Sequence, residues 1–91
     1  MARPDIFMNL YPNPTTSFVK LDFKYDASAN IQLELVDMLG RVLHSDELDV
    51  VKGQMSNYQL DLSSLSAGMY MFRLTSSGQL LNSYKFQKAG E

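Results

Sequence analysis

The feature that most constrains the fold of this chain is a two-residue period of its apolar side chains. Residues 18–25 alternate apolar and mostly charged side chains, the apolar ones being Val19, Leu21, Phe23 and Tyr25. Successive side chains of a β-strand point to opposite faces, so this segment predicts a strand with one buried and one solvated face. The same alternation recurs in residues 31–35, 70–74 and 84–86, and more weakly in 6–10, 42–48 and 56–62. About seven short strands are therefore predicted.

Turn-forming residues separate these strands. Pro12, Asn13 and Pro14 cannot lie in a central strand, because each proline removes a ladder donor. Asp37 is expected to open a tight hairpin turn in which Gly40 takes a positive φ. Further turn signals lie at residues 26–30, 52–53 and 76–79, and leucines 62 and 65 are spaced for a single helical or 3₁₀ turn.

The strand pattern predicts an all-β fold. No helical period extends beyond one turn, so the apolar face of one sheet must pack on another sheet. We predict an Ig-like antiparallel β-sandwich of about seven short strands, with a small closed barrel as the alternative. A chain of 91 residues is long enough for one domain. We assign residues 9–91 to it and residues 1–8 to a lead-in strand or linker remnant, with residues 1–5 frayed.

Composition excludes several classes of function. The chain has no cysteine, which removes disulfides, thiolate metal sites and cysteine nucleophiles. A net charge of −2 argues against a nucleic-acid partner and against a polybasic membrane anchor. No apolar run approaches the roughly 20 residues of a membrane span, and no signal-peptide pattern follows Met1.

Reactive groups are sparse. His44 is the only histidine, and no spacing joins it to Ser63 or Ser64 in a catalytic triad. Asp46, Glu47 and Asp49 could form a loop metal site, but a solvated hairpin end is the favoured interpretation. No phosphate-binding loop is present. We therefore predict neither an enzyme, nor a cofactor, nor a metal site.

Five tyrosines raise the question of a sugar-binding face: Tyr11, Tyr25, Tyr58, Tyr70 and Tyr84. Three of them, Tyr25, Tyr70 and Tyr84, share the parity of the apolar side chains in their strands, which favours core packing over a sugar platform. From the residues alone, a binding module for glycan or protein, a structural spacer and an addressing signal remain open.

Four blocks in fixed order favour the addressing signal, with the binding module as the alternative and the structural spacer third. Tyr11, Pro12, Asn13 and Pro14 come first, then residues 37–42, then residues 61–70, and finally residues 84–88 close to the end. This order resembles the C-terminal sorting domain of the type IX secretion system (the Por system), in its type A form. The resemblance covers about residues 9–88.

The resemblance implies a non-catalytic address on a larger exported cargo protein. By this resemblance the domain is expected to pass through the periplasm, to be read by the outer-membrane translocon, and to direct the cargo to the surface of a Gram-negative cell. A sortase-like peptidase is the second implied partner.

Mapped onto this chain, the family motifs suggest a recognition set: Tyr11, Pro12, Asn13, Pro14, Asp37, Gly40, Gly68, Tyr70, Lys85, Phe86 and Lys88. Phe86 is expected to point inward, and Lys85 and Lys88 outward. Leu62 and Leu65 are expected to plug the open end of the sandwich. The last strand, residues 80–88, is an expected edge for strand addition by a partner or by a second copy.

Overall fold

The computed structural model describes residues 6–90 and contains seven β-strands. Their bounds are β1 Ile6–Tyr11, β2 Phe18–Tyr25, β3 Ala29–Asp37, β4 Val42–Val50, β5 Met55–Asp61, β6 Gly68–Ser76 and β7 Gln79–Lys88. All seven predicted strands are confirmed. The first half of β1 is formed by residues 6–8, which the sequence assigned to a lead-in, whereas the predicted fraying of residues 1–5 lies outside the described residues.

The strands form two antiparallel sheets. Sheet A has the order β1-β2-β5, and sheet B has the order β4-β3-β6-β7. The Ig-like β-sandwich is therefore confirmed, and the closed barrel is wrong. A barrel needs a hydrogen-bonded ladder between every pair of neighbouring strands, and no ladder joins the two sheets within residues 6–90.

The core lies between the sheets and follows the predicted parity. The central strands β2, β3 and β6 contribute alternate side chains to it. The fully buried side chains include Leu21, Phe23, Ile31, Leu33, Phe72 and Leu74. The ring of Phe72 stacks on that of Phe86 with centroids 5.4 Å apart, and Tyr58 meets Phe72 edge to face at 6.4 Å. A continuous aromatic and aliphatic layer therefore fixes the two sheets against each other.

The strand registers bring distant parts of the chain to one end of the sandwich. Asp37 pairs with Tyr70, Gly68 pairs with Lys88, and Tyr11 pairs with Lys20 near the start of β2. The turns after β1, β3 and β5 therefore lie together with the end of β7. We call this the motif end, defined by residues 11–17, 37–42, 61–70 and 86–90.

Candidate recognition surface

The motif end gathers all four sequence blocks, although the chain separates them by up to 77 residues. The cause is topological: β1, β3, β5 and β7 all finish at this end, while β2, β4 and β6 start there. The sequence order of the blocks did not reveal this convergence. It makes the motif end the candidate functional site.

The first and last blocks are joined directly. Asn13 Oδ1 accepts a hydrogen bond from Gln87 N at 3.1 Å. Thr15 N donates to Gln87 O at 2.9 Å, and Ala89 N donates to Thr15 O at 2.7 Å. Residues 13–15 thus form a clip on the outer edge of β7, in a short parallel pairing of Thr15 with Lys88. Thr15 is buried, and its hydroxyl donates to Phe18 O.

The segment that forms the clip leaves β1 through two prolines. Pro12 and Pro14 are exposed, and the peptide bonds that precede them are both cis. Tyr11 is 38% exposed on the outer face of sheet A, where its hydroxyl donates to Asp22 Oδ2 at 2.8 Å. As predicted, the proline block ends the first strand.

The two lysines of the last block differ sharply in exposure. Phe86 is buried and faces the core, as predicted, and Lys85 is exposed. The prediction that Lys88 points outward is wrong, since Lys88 is only 5% exposed. The physical reason is strand parity: Lys88 lies two residues beyond Phe86 and shares its inward face. Only Lys85 presents its side chain at the surface.

Tyr70 anchors the block that precedes β6. Its ring lies 6.2 Å from that of Phe86, and its hydroxyl donates to Ser66 O at 2.6 Å. The bond ties the loop after β5 to the core, because a buried phenol hydroxyl needs a partner. Gly68 opens β6 with a φ of +158°.

The end of the sandwich is closed as predicted by two leucines. Leu62 is fully buried and Leu65 is half-buried against the core. Leu65 N donates to Leu62 O at 2.9 Å, which makes a single hydrogen-bonded turn. Asp61 caps this turn, since its Oδ1 accepts a bond from Ser63 N at 2.8 Å. That bond and the one from the Ser63 hydroxyl hold the pKa of Asp61 below its ordinary value.

The turn between β3 and β4 is fixed by Asp37. Its Oδ1 accepts bonds from Leu39 N at 2.9 Å and Arg41 N at 3.0 Å, and its Oδ2 lies 2.7 Å from Arg41 Nε. Gly40 N donates to Asp37 O at 3.1 Å, and Gly40 has a φ of +83°, as predicted for a turn followed by a left-handed residue. The result is a hydrogen-bonded turn over residues 37–41 that joins β3 to β4.

These bonds set the acid stability of the turn. Burial raises the pKa of Asp37. The hydrogen bonds from Arg41 and Leu39 and the charge of Arg41 lower it by more, so the pKa of Asp37 lies below its ordinary value. A lowered pKa stabilises the fold above the unfolded-state pKa of about 3.9, and this stability is lost as the pH falls through the folded-state pKa.

We expect Asp37→Asn to lower the melting temperature by a few degrees at pH 6, because asparagine loses the ion pair with Arg41. The difference between the variant and the wild type should shrink as the pH falls from 6 towards 2, since Asp37 takes up its proton as the pH falls through the lowered folded-state pKa. Thermal unfolding followed by circular dichroism tests this. An equal difference at both pH values would show that the charge of Asp37 does not stabilise the turn.

A polar cluster at the far edge of the sandwich was not predicted. The Tyr58 hydroxyl on β5 donates to Asp46 Oδ2 on β4 at 3.3 Å and lies 3.0 Å from His44 Nε2. Burial, the charge of Asp46 and the hydrogen bond to Asp46 raise the pKa of Tyr58 to about 12. This cluster joins the open edges of the two sheets. His44 is exposed on an edge strand, as the sequence indicated.

The sequence also offered a carboxylate metal site and a tyrosine face. Asp46, Glu47 and Asp49 lie along β4 instead of at a hairpin end, and residues 6–90 contain no group of three or more potential metal-ligating side chains. Tyr25 and Tyr70 are buried, as predicted, so they contribute nothing to a sugar platform. No helix in the described part of the chain is long and apolar enough to cross a membrane.

The fold and the motif end define a small Ig-like sandwich whose sequence blocks are assembled at one end. The family model for the secretion system C-terminal sorting domain matches residues 9–87. The chain belongs to this family, which is a family of sorting signals and not of catalytic domains. It is accordingly a type IX sorting domain that directs export to the cell surface or the extracellular space.

Solved structures show the same fold. The structure of dimeric latent PorU from Porphyromonas gingivalis matches with a TM-score of 0.78 and 19% identity, over 100% of this chain and 10% of that one. A β-glucosidase from Listeria innocua matches with a TM-score of 0.51 and 14% identity, over 97% of this chain and 16% of that one. β-Glucosidase 3B from Thermotoga neapolitana matches with a TM-score of 0.55 and 16% identity, over 98% of this chain and 16% of that one.

The chain thus spans a tenth of the length of the PorU chain and about a sixth of the two β-glucosidases. At these identities the likeness concerns the fold alone. No curated protein matches the sequence.

Proposed function

We propose that the secretion machinery reads this domain as a folded surface centred on the motif end, and not as a linear peptide. The observation that carries the proposal is the clip, in which Asn13 and Thr15 bind Gln87 and Ala89. Because the first and last blocks meet only after both sheets have formed, the complete signal exists only in the folded state. The domain is part of a larger cargo, and its partners are the translocon and a sortase-like peptidase.

The open part of β7 is the proposed contact for strand addition. Gln87 points its N–H and C=O away from β6, towards the clip. Main-chain groups alternate in direction along an antiparallel strand, so those of Lys85 also face outward. The clip closes the edge on one side of Lys85, and a bulge opposite Leu74 and Thr75 interrupts the ladder on the other. A partner strand can therefore pair only with a short stretch around Lys85.

The domain has no catalytic activity of its own in this proposal. Its one histidine lies with Tyr58 and Asp46 on the edge far from β7, and no serine or cysteine nucleophile is hydrogen-bonded to it in residues 6–90. Cleavage and attachment of the cargo would be the work of the peptidase. In this proposal the domain is a sorting signal, and the machinery recognises the shape of its surface and the geometry of its strand edge.

The test is a reporter with a signal peptide, fused to the full chain and expressed in a host with the type IX system. We expect surface display from the full chain and none from residues 84–91 alone. Leu62→Ala, which opens a cavity at the motif end, should lower display because it destabilises the fold by about 2–5 kcal/mol.

Val51→Ala serves as the matched control, since Val51 is 53% exposed in the turn at the other end of the sandwich. It should display the reporter at the wild-type level. If residues 84–91 alone display the reporter as well as the full chain does, the folded surface is not the signal.

A further inference from the structure

The outer face of sheet B carries an apolar patch that no other layer of the described structure covers. Val42 pairs with Val36, and Val36 pairs with Met71, so these three side chains form a row across β4, β3 and β6. They face outward, because the core-facing residues of β3 are Ile31, Leu33 and Leu35. Val36 is only 1% exposed although it lies outside the inter-sheet core.

The patch continues onto the hairpin turn at the motif end. Leu39 is 79% exposed, Met38 50% and Met69 43%. Met69 directly precedes Tyr70, which pairs with Asp37, so it lies at the end of the sheet beside the turn. We define the apolar patch as Val36, Met38, Leu39, Val42, Met69 and Met71.

The turn does not need these apolar side chains. Asp37 and Gly40 fix its geometry, and the two positions between them accept polar residues in turns of this type. The backbone of Leu39 is therefore held by the turn while its side chain lies in water. A turn that is ordered before binding loses little backbone entropy when a partner covers Leu39, which favours this side chain as an anchor.

Charge is divided across the same face. Lys85 pairs with Met71 and ends the apolar row on β7, while Arg41 borders the patch at the turn with its side chain 72% exposed. The next row inward from the motif end holds Glu34, bonded to Arg73 at 2.9 Å. Beyond it lie Glu47 and Asp49. The patch is thus bordered by two basic side chains, of which Arg41 is ion-paired with Asp37 while Lys85 has no ion pair among the described residues, and the other half of the face is acidic.

We propose that the apolar patch docks onto an apolar protein surface flanked by carboxylates, on the component of the secretion machinery that recognises the domain. This rests on the proposed function. A second copy of the chain is the competing occupant, because its own acidic half can face Arg41 and Lys85, and sedimentation velocity separates the two. An anionic membrane fits poorly, because the adjoining acidic half and the net charge of −2 would be repelled.

The experiment compares two double variants in the reporter fusion. Leu39→Ser with Met69→Ser removes two apolar side chains from the patch. Phe7→Ser with Met55→Ser is the matched control, with 54% and 50% exposure on the outer face of sheet A. We expect the patch variant to lower surface display at least about tenfold and the control less than about twofold. Both purified proteins should melt within a few degrees of the wild type.

Each other outcome is decisive. Display of the patch variant at the control level overturns the proposal while leaving the proposed function intact, whereas failure of the wild-type fusion overturns both. If the wild-type chain binds phosphatidylglycerol vesicles and the patch variant does not, the occupant is a membrane. If sedimentation velocity shows a wild-type dimer that the patch variant loses, the occupant is a second copy. Either of the last two results also overturns the proposal.

Discussion

Phe86→Ala is expected to lower the free energy of unfolding by about 3–5 kcal/mol. Phe86 is 1% exposed, its ring stacks on Phe72 at 5.4 Å and lies 6.2 Å from that of Tyr70. Removing it leaves a cavity and undocks the end of β7 from the core. A domain of this size has about 5–15 kcal/mol of stability in total, so the loss is a large fraction.

Urea unfolding followed by circular dichroism measures this effect, and the reporter fusion should show reduced display. Phe7→Ala is the control, because Phe7 is 54% exposed on sheet A and its truncation should change stability by less than about 0.5 kcal/mol. A Phe86→Ala protein that unfolds at the same urea concentration as Phe7→Ala would show that the aromatic stack does not hold β7.

Lys85→Glu and Lys88→Glu are expected to differ in stability, since only Lys88→Glu should lower the free energy of unfolding. Lys88→Glu should destabilise the domain by at least about 2 kcal/mol, because it buries a carboxylate on the core face of β7. Lys85→Glu should leave stability within about 0.5 kcal/mol, since Lys85 is exposed. It should nevertheless lower display, because it reverses the charge beside the open edge and the apolar patch.

Lys88→Met separates charge from burial, since methionine keeps an apolar stem without the ammonium group. We expect a folded Lys88→Met domain that is exported normally. If Lys88→Glu is as stable as Lys85→Glu, then Lys88 does not lie in the core face. If Lys85→Glu is displayed at the wild-type level, the charge of Lys85 is not read.

Local patterns were enough to predict the elements at the motif end. The Asp37 turn and the Asp61 cap depend on bonds between residues no more than four apart, and such bonds follow from residue type and spacing. The inward position of Phe86 follows from parity with its own strand. The same rule places Lys88 inward, against the expectation that a lysine at a strand end is solvated.

Sequence by itself therefore determined the strands, their buried faces and the turns, because a period of two and a turn residue act over a few positions. Only the tertiary structure decided which strands pair, and so which surfaces exist. Three contacts join residues from separate parts of the chain: the clip between Asn13 and Gln87, the contact of Tyr58 with Asp46, and the row of Val42, Val36 and Met71. Such contacts arise from sheet order and register, which no local pattern in the chain specifies.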